Sequence, residues 1–203
     1  MEAIQKYAGQ LHADMANFEF FVVADIVQVE SFGQITRKGY VEGWKAAYVN
    51  SGVEPDPSAH RRHVRSCIDR LSRDPAYFKQ VYRRAFFVGK EPNQKAINKE
   101  IALNFWEALF APGAKTWQSG GVNWLECWQR FLEDKWKRGV NKDMWNQTLE
   151  FALKTIEDPT LSFWSEESAW PSVIDDFVAW CRQEGIVKSD ASGTGSGGME
   201  VDY

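Results

Sequence analysis

Histidine and cysteine, the side chains most often spent on metals and covalent chemistry, occur only three times each in the 203 residues. Cys67, Cys127 and Cys181 form a sparse, odd-numbered set with no metal-ligand spacing. That excludes a disulfide framework and predicts three packed thiols in a reducing, intracellular compartment. Long apolar runs are missing too: none approaches the ~18–20 residues that cross a bilayer, and no signal-peptide pattern opens the chain. No glycine-rich phosphate loop, no lysine-bearing nucleotide motif and no serine elbow occurs, so neither a cofactor nor a metal is expected. Tryptophan is scarce at first, with only Trp44 before residue 105, and then abundant, with nine of the ten beyond it.

Hydrophobic residues at 44% and charged residues at 26% give the balance of a soluble globular protein with one sizeable core or two small packed halves. The net charge of −4 says little, but its distribution is uneven. Nine Lys and Arg face two acids between Arg61 and Lys90, whereas nine acids face two basic residues between Asp143 and Glu184. Two surfaces of opposite sign are expected.

Strand alternation is absent and apolar residues recur at helical spacing, which predicts an all-α fold of two packed helical halves. In "NWLECWQRFLEDKWKRG" the residues Trp124, Trp128, Phe131, Leu132 and Trp136 share one face. Asn123 can cap the start of this helix, Glu126 can reach back to it, and Gly139 can end it. Asn141 caps a following helix lined by Trp145, Leu149, Ala152, Leu153 and Ile156. Pro171 suits the first position of a last helix that buries Val173, Ile174, Phe177, Val178 and Cys181. Earlier helices are predicted over about 2–11, 17–30, 37–50, 59–72, 76–87 and 95–110. One domain spans 1–188; "SDASGTGSGGMEVDY" at 189–203 is too small, polar and Gly/Ser-rich to stay ordered and reads as a disordered tail.

"QVESFGQITRKGY" has the outline of an EF-hand loop, with Gly33 at the turn, Ile35 at the β-contact and Thr36 after it. Its ligand positions fail, because Gln28, Phe32 and Gly39 stand where oxygen donors belong. We read a degenerate, EF-hand-like helix-loop-helix in the first half that binds no calcium. "VNKDMW" faintly echoes "ITRKGY", which hints at a second such unit.

Three chemical readings compete. Asp175 and Asp176 resemble an acid–base pair, yet consecutive helix positions diverge by ~100° and do not face one substrate. His60 and His63 in "HRRH" share a helix face, but flanking arginines repel a cation and a solvated face is expected; Cys67 lacks an orienting pattern for nucleophilic work. The stretch "HRRHVRSCIDRLSRDPAYFKQVYRR" interleaves basic and aromatic residues as a nucleic-acid surface would. Its Tyr77, Phe78, Val81, Tyr82 and Phe86 fall at helical spacing and are better spent on a core. The nucleic-acid surface over 61–84 is the alternative reading, and its partner is not expected. The residues describe a binding module without chemistry of its own.

At "NKDMWNQTLEF" and "SAWPSVIDDFVAW" the chain resembles the potentiating-neddylation (PONY, or DCUN1) domain of the defective-in-cullin-neddylation (DCN1-like) family. The similarity extends through "DPAYFKQVYRRAFFVG", "IALNFWEALF" and "CWQRFLEDKWKRGVNKDMWN", over about residues 3–185. It implies a non-catalytic, scaffold-type co-ligase of the nucleus and cytoplasm. Such a protein holds the winged-helix C-terminal domain of a cullin and the conjugating enzyme charged with the ubiquitin-like modifier; the RING subunit of the cullin ligase is a further implied partner. Carried over by motif, the cullin-binding residues are Asp143 in KDMWN, Ala169 in SAWP and Asp175 in IDDF. A pocket for the acetylated N-terminal methionine of the conjugating enzyme would be lined near Ile4, Phe20, Val23, Phe32, Ile35 and Val88, where an ordinary core reading competes. The ubiquitin-associated domain of some members has no counterpart in these residues, so no ubiquitin binding is expected. "EDPTLSFWSEES" and "APGAKTWQSGG" are longer than usual for the family and alter the expected contact surface.

Overall fold

The computed structural model describes residues 2–14, 16–31 and 34–187, with side chains from residue 6 onward. The expected tail, and Phe32 and Gly33 of the loop, lie outside the described residues. Nine helices run in order among them: α1 Glu2–Gln10, α2 Glu19–Ile26, α3 Arg37–Ser51, α4 Pro57–Leu71, α5 Pro75–Gly89, α6 Lys99–Leu109, α7 Trp124–Lys135, α8 Lys142–Glu157 and α9 Ser172–Gln183. None is long and apolar enough to cross a membrane.

Side-chain caps set most of the helix starts. Asp56 accepts from the Ser58 and Ala59 amides, Asp74 from those of Ala76 and Tyr77, and proline follows each aspartate at the first helical position. Thr36 accepts from the Gly39 amide and Asn141 from that of Met144. The likeness of "ITRKGY" to "VNKDMW" is therefore a shared capping pattern: an aliphatic, a cap, then an aromatic on the buried side of the first turn.

Two-residue strands, unforeseen in the sequence, tie the loops. β1 (Ala96–Ile97) pairs antiparallel with β4 (Val140–Asn141), Ala96 opposite Asn141 and Ile97 opposite Val140; β2 (Gln118–Ser119) and β3 (Val122–Asn123) make a hairpin. They account for the shifted helix ends. α6 starts at Lys99 rather than near residue 95 because the preceding residues are extended in β1 and Asn98 caps. Gly139 does not end α7, which stops at Lys135 with Trp136 already extended. Lys99 Nζ satisfies the exposed carbonyls there, donating to Leu132 O at 3.4 Å and Trp136 O at 3.0 Å. Gly139 instead admits the strand pairing, since a Cβ there would lie 2.8 Å from the Ile97 carbonyl. α2 ends at Ile26, short of the expected residue 30, where the chain turns through Gln28 at φ 51°. Pro171 precedes α9 as its cap residue rather than opening it.

α2, the loop and α3 make a helix-loop-helix. Ile35 is half-buried against the core and lies in no strand. The two helices meet closely at Gly43, whose missing Cβ leaves room for the Ile26 carbonyl.

The two halves share one contiguous core running from Ala8 to Val187. α5 joins them, packing on α2 and α4 to one side and on α6 and α8 to the other. Where α5, α6 and α8 meet, Trp145 stacks on Trp106 at 5.1 Å and on Tyr82 at 4.6 Å. The Tyr82 hydroxyl accepts from Trp106 Nε1 and donates to the Trp145 carbonyl, while Trp145 Nε1 donates back to the Tyr82 carbonyl. Every polar atom of this aromatic knot is thus satisfied, as burial requires.

Candidate functional site

The expected acidic positions sit at helix starts near the α8–α9 contact. Asp143 is exposed in the first turn of α8. Ala169 is exposed in the turn entering α9, and Asp175 is half-buried in the first turn of that helix. α8 and the α9 segment are locked by Phe151, which meets Trp170 edge-on at 5.7 Å and Phe177 at 5.8 Å. Ala169 and Asp175 therefore share one corner of the molecule. Asp143 stands two helical turns, roughly 12 Å along α8, from the Phe151 contact.

Asp175 is held in place. Trp164 Nε1 donates to its Oδ1 at 3.0 Å, and the face of the same indole carries the Arg182 guanidinium at 4.7 Å. Trp164 comes from the loop between α8 and α9, which is organised by Asp158. That carboxylate accepts from the amides and hydroxyls of both Thr160 and Ser162, bonds that hold its pKa down to about 2. Trp164, Glu166, Asp175, Asp176, Ala179 and Arg182 border an open cleft of about 670 Å³. Asp175 and Asp176 thus border the same cleft, despite their divergence on the helix, but in different settings: one hydrogen-bonded and half-buried, the other exposed. Sequence reasoning passed over Trp164 and Arg182. The seven-residue step from Asp175 to Arg182, one helix face, was legible; an indole arriving from the loop to bridge them was not.

The expected pocket residues divide. Phe20, Val23 and Val88 are buried in the core, and Ile35 packs partly buried against it. Phe32 and the side chain of Ile4 lie outside the described residues. A separate apolar groove of about 540 Å³, unforeseen in the sequence, runs between α3 and α4, lined by Tyr40, Trp44, Tyr48, Val53 and His60 among others.

His60 and His63 do not form a merely solvated face. His60 stacks on Trp44 at 3.6 Å, and His63 meets the same ring edge-on at 5.9 Å. Burial lowers both imidazole pKa values. His63 Nε2 lies 3.5 Å from the Cys67 sulfur, yet burial raises the thiol's pKa while lowering the imidazole's. Both shifts favour the neutral pair, the reverse of an activated thiolate–imidazolium. All three cysteines are buried free thiols, as expected. The aromatics around the basic stretch go inward: Tyr77, Phe78, Tyr82 and Phe86 are all buried, as is Val81 between them.

The profile of a family described as cullin binding matches residues 59–180. This chain belongs to the cullin-binding family. Defective in cullin neddylation protein 1 of Pyricularia oryzae is 44% identical over 207 residues, covering 97% of this chain and 70% of that protein. The protein of the same name in Yarrowia lipolytica is 31% identical over 178 residues, covering 88% of this chain and 69% of its own length. DCN1-like protein 3 of Mus musculus is 29% identical over 203 residues, covering 98% and 62%. The stretch matched by the cullin-binding family contains Asp143, Ala169 and Asp175, all of α8 and α9 as far as Trp180.

Proposed function

We propose that this protein acts in cullin neddylation as a co-ligase without chemistry of its own, binding a cullin through Asp143, Ala169 and Asp175. The observation that carries the reading is that the matched stretch holds Asp143, exposed at the start of α8, and the corner where the exposed Ala169 and the half-buried Asp175 lie together at the start of α9. Cullin basic residues would meet both acids, and Ala169 would seat the surface between them.

The second half of the proposal concerns the conjugating enzyme. Its acetylated N-terminus docks near Ile4, Phe20, Val23, Phe32, Ile35 and Val88, opening a slot at the edge of the first-half core. Holding both partners turns a bimolecular encounter into a near-intramolecular one and limits how the charged cysteine approaches the cullin lysine. The RING subunit completes the assembly that supplies that charged enzyme.

The test is a pulldown with a cullin C-terminal domain, followed by a neddylation assay with and without this protein. Asp143→Arg and Asp175→Arg place like charges together, which costs several kcal/mol, so binding and stimulation fall at least about a hundredfold while the fold survives. Stimulation by both variants equal to wild type would refute the patch. For the slot, a peptide of the conjugating enzyme's first dozen residues is titrated with and without its acetyl group. Burying a charged amine is unfavourable, so acetylation strengthens binding; equal affinities would remove the slot.

A further inference from the structure

Asp175 and Arg182 lie seven residues apart on one face of α9, roughly 10 Å along its axis, too far to pair directly. Trp164 spans the gap. Its N–H meets the carboxylate at 3.0 Å and its ring face meets the guanidinium at 4.7 Å. The indole is itself fixed from the loop side, through the Trp164 amide to the Leu161 carbonyl at 3.0 Å and the Asp158 bonds to Thr160 and Ser162. At the start of α9 the carboxylate makes no cap: the cap residue is Pro171, without a side-chain bond. Among the described residues only Oδ1 of Asp175 is engaged, which leaves Oδ2 without a side-chain partner on a residue that borders the cleft.

We infer that Trp164 is a positioning residue for the cullin contact: its indole N–H fixes the Asp175 carboxylate with one oxygen turned to the partner, and Arg182 stacks on the ring to hold the indole in place. This rests on the reading of Asp175 as a cullin-binding residue. A carboxylate free to rotate must be ordered on binding, at a cost in side-chain entropy; one already hydrogen-bonded avoids most of it. A cation stacked on an aromatic face stiffens the ring without taking the carboxylate oxygen the partner needs. Arg182 also borders the cleft, so a basic partner side chain is directed away from it and toward Asp175, Asp176 and Glu166.

The test is a double-mutant cycle on affinity for a cullin C-terminal domain, measured by calorimetry at low ionic strength, where weakened complexes stay measurable. Trp164→Phe keeps the aromatic surface and removes the N–H donor; about five-fold weaker binding is expected, the scale of the side-chain ordering cost that the bond spares. Asp175→Ala weakens binding by more, and in its background Trp164→Phe has no further effect. A loss from Trp164→Phe that is the same in both backgrounds, or no loss in either, overturns the inference and leaves Asp175 as a contact. No effect of Asp175→Ala overturns the contact and the inference together. Should Trp164→Phe fold poorly, Arg182→Met carries the same cycle with about two-fold expected, since it removes only the stacked cation. Independently of any partner, the indole N–H resonance that Trp164→Phe deletes from the NMR spectrum moves on Asp175→Ala; an unmoved resonance would show that the two groups do not meet.

Discussion

At the scale of single residues, the environment decides what each titratable group does. Asp25 is 6% exposed, and its carboxylate accepts from Gln80 Nε2 at 2.6 Å and lies 3.4 Å from Arg84 Nε. Desolvation outweighs Arg84 and Gln80, so its pKa stands above the ordinary 3.8. A raised carboxyl pKa means that the folded state holds the proton more tightly than the unfolded one. This group's contribution is therefore fully present below pH 3.8 and declines as pH rises through the folded value. Asp74 and Asp158 act oppositely: hydrogen bonds depress their pKa values, and their contribution is lost only as pH falls below 3.8. Urea unfolding between pH 4.5 and 7 compares wild type with Asp25→Asn, because His60 and His63, with their lowered pKa values, act in the same window in the opposite sense. Asp25→Asn, which keeps an acceptor for Gln80, removes the contribution that declines with pH, so the slope of stability against pH should become more positive; an unchanged slope would show that Asp25 does not titrate there.

At the scale of elements, close approaches set the angles. α3 crosses α2 where Gly43 faces the Ile26 carbonyl, and the contact is with backbone rather than a yielding side chain. Gly43→Ala forces the helices apart and is expected to destabilise the protein by about 3 kcal/mol or more, a larger penalty than ordinary overpacking. Chemical denaturation measures it, and a loss under 1 kcal/mol would mean that the α2–α3 crossing is soft. Because α2 carries Phe20 and Val23, the same substitution should weaken the acetylated peptide more than the cullin. The periodicity of α7 was readable because Trp124, Trp128 and Phe131 repeat on one face, and that of α8 because Trp145, Leu149, Ala152 and Ile156 do. The ends of α6 and α7 were not, because β1–β4 pairing joins Ala96 to Asn141 and Ile97 to Val140, far apart in the chain. No local preference reports such a partner.

For the molecule as a whole, charge is segregated along the chain, with the basic excess in α4 and α5 and the acidic excess in α8, α9 and the loop between them. Lys79 and Glu150 join the two at 2.9 Å across α5 and α8. Contact through the acidic corner predicts cullin association that slows steeply with added salt, chiefly in the on-rate. Stopped-flow measurements from 25 to 300 mM salt would check this, and a flat dependence would refute an electrostatic corner. The basic stretch has lost its aromatics to the core, which leaves a nucleic-acid surface there without stacking platforms from that set.

What the sequence determined by itself is what repeats or stands at fixed offsets: the helical class, the caps at Asn123 and Asn141, the tryptophan-rich core and the family motifs around Asp143 and Asp175. These follow from hydrogen bonds and packing within a few turns of chain. Only the tertiary structure decided that Trp164 meets both Asp175 and Arg182, that His60 lies flat on Trp44, and that Gly139 serves a strand contact instead of a helix end. Each depends on where a side chain from a distant element arrives, and that is fixed by how the whole core closes rather than by any local preference.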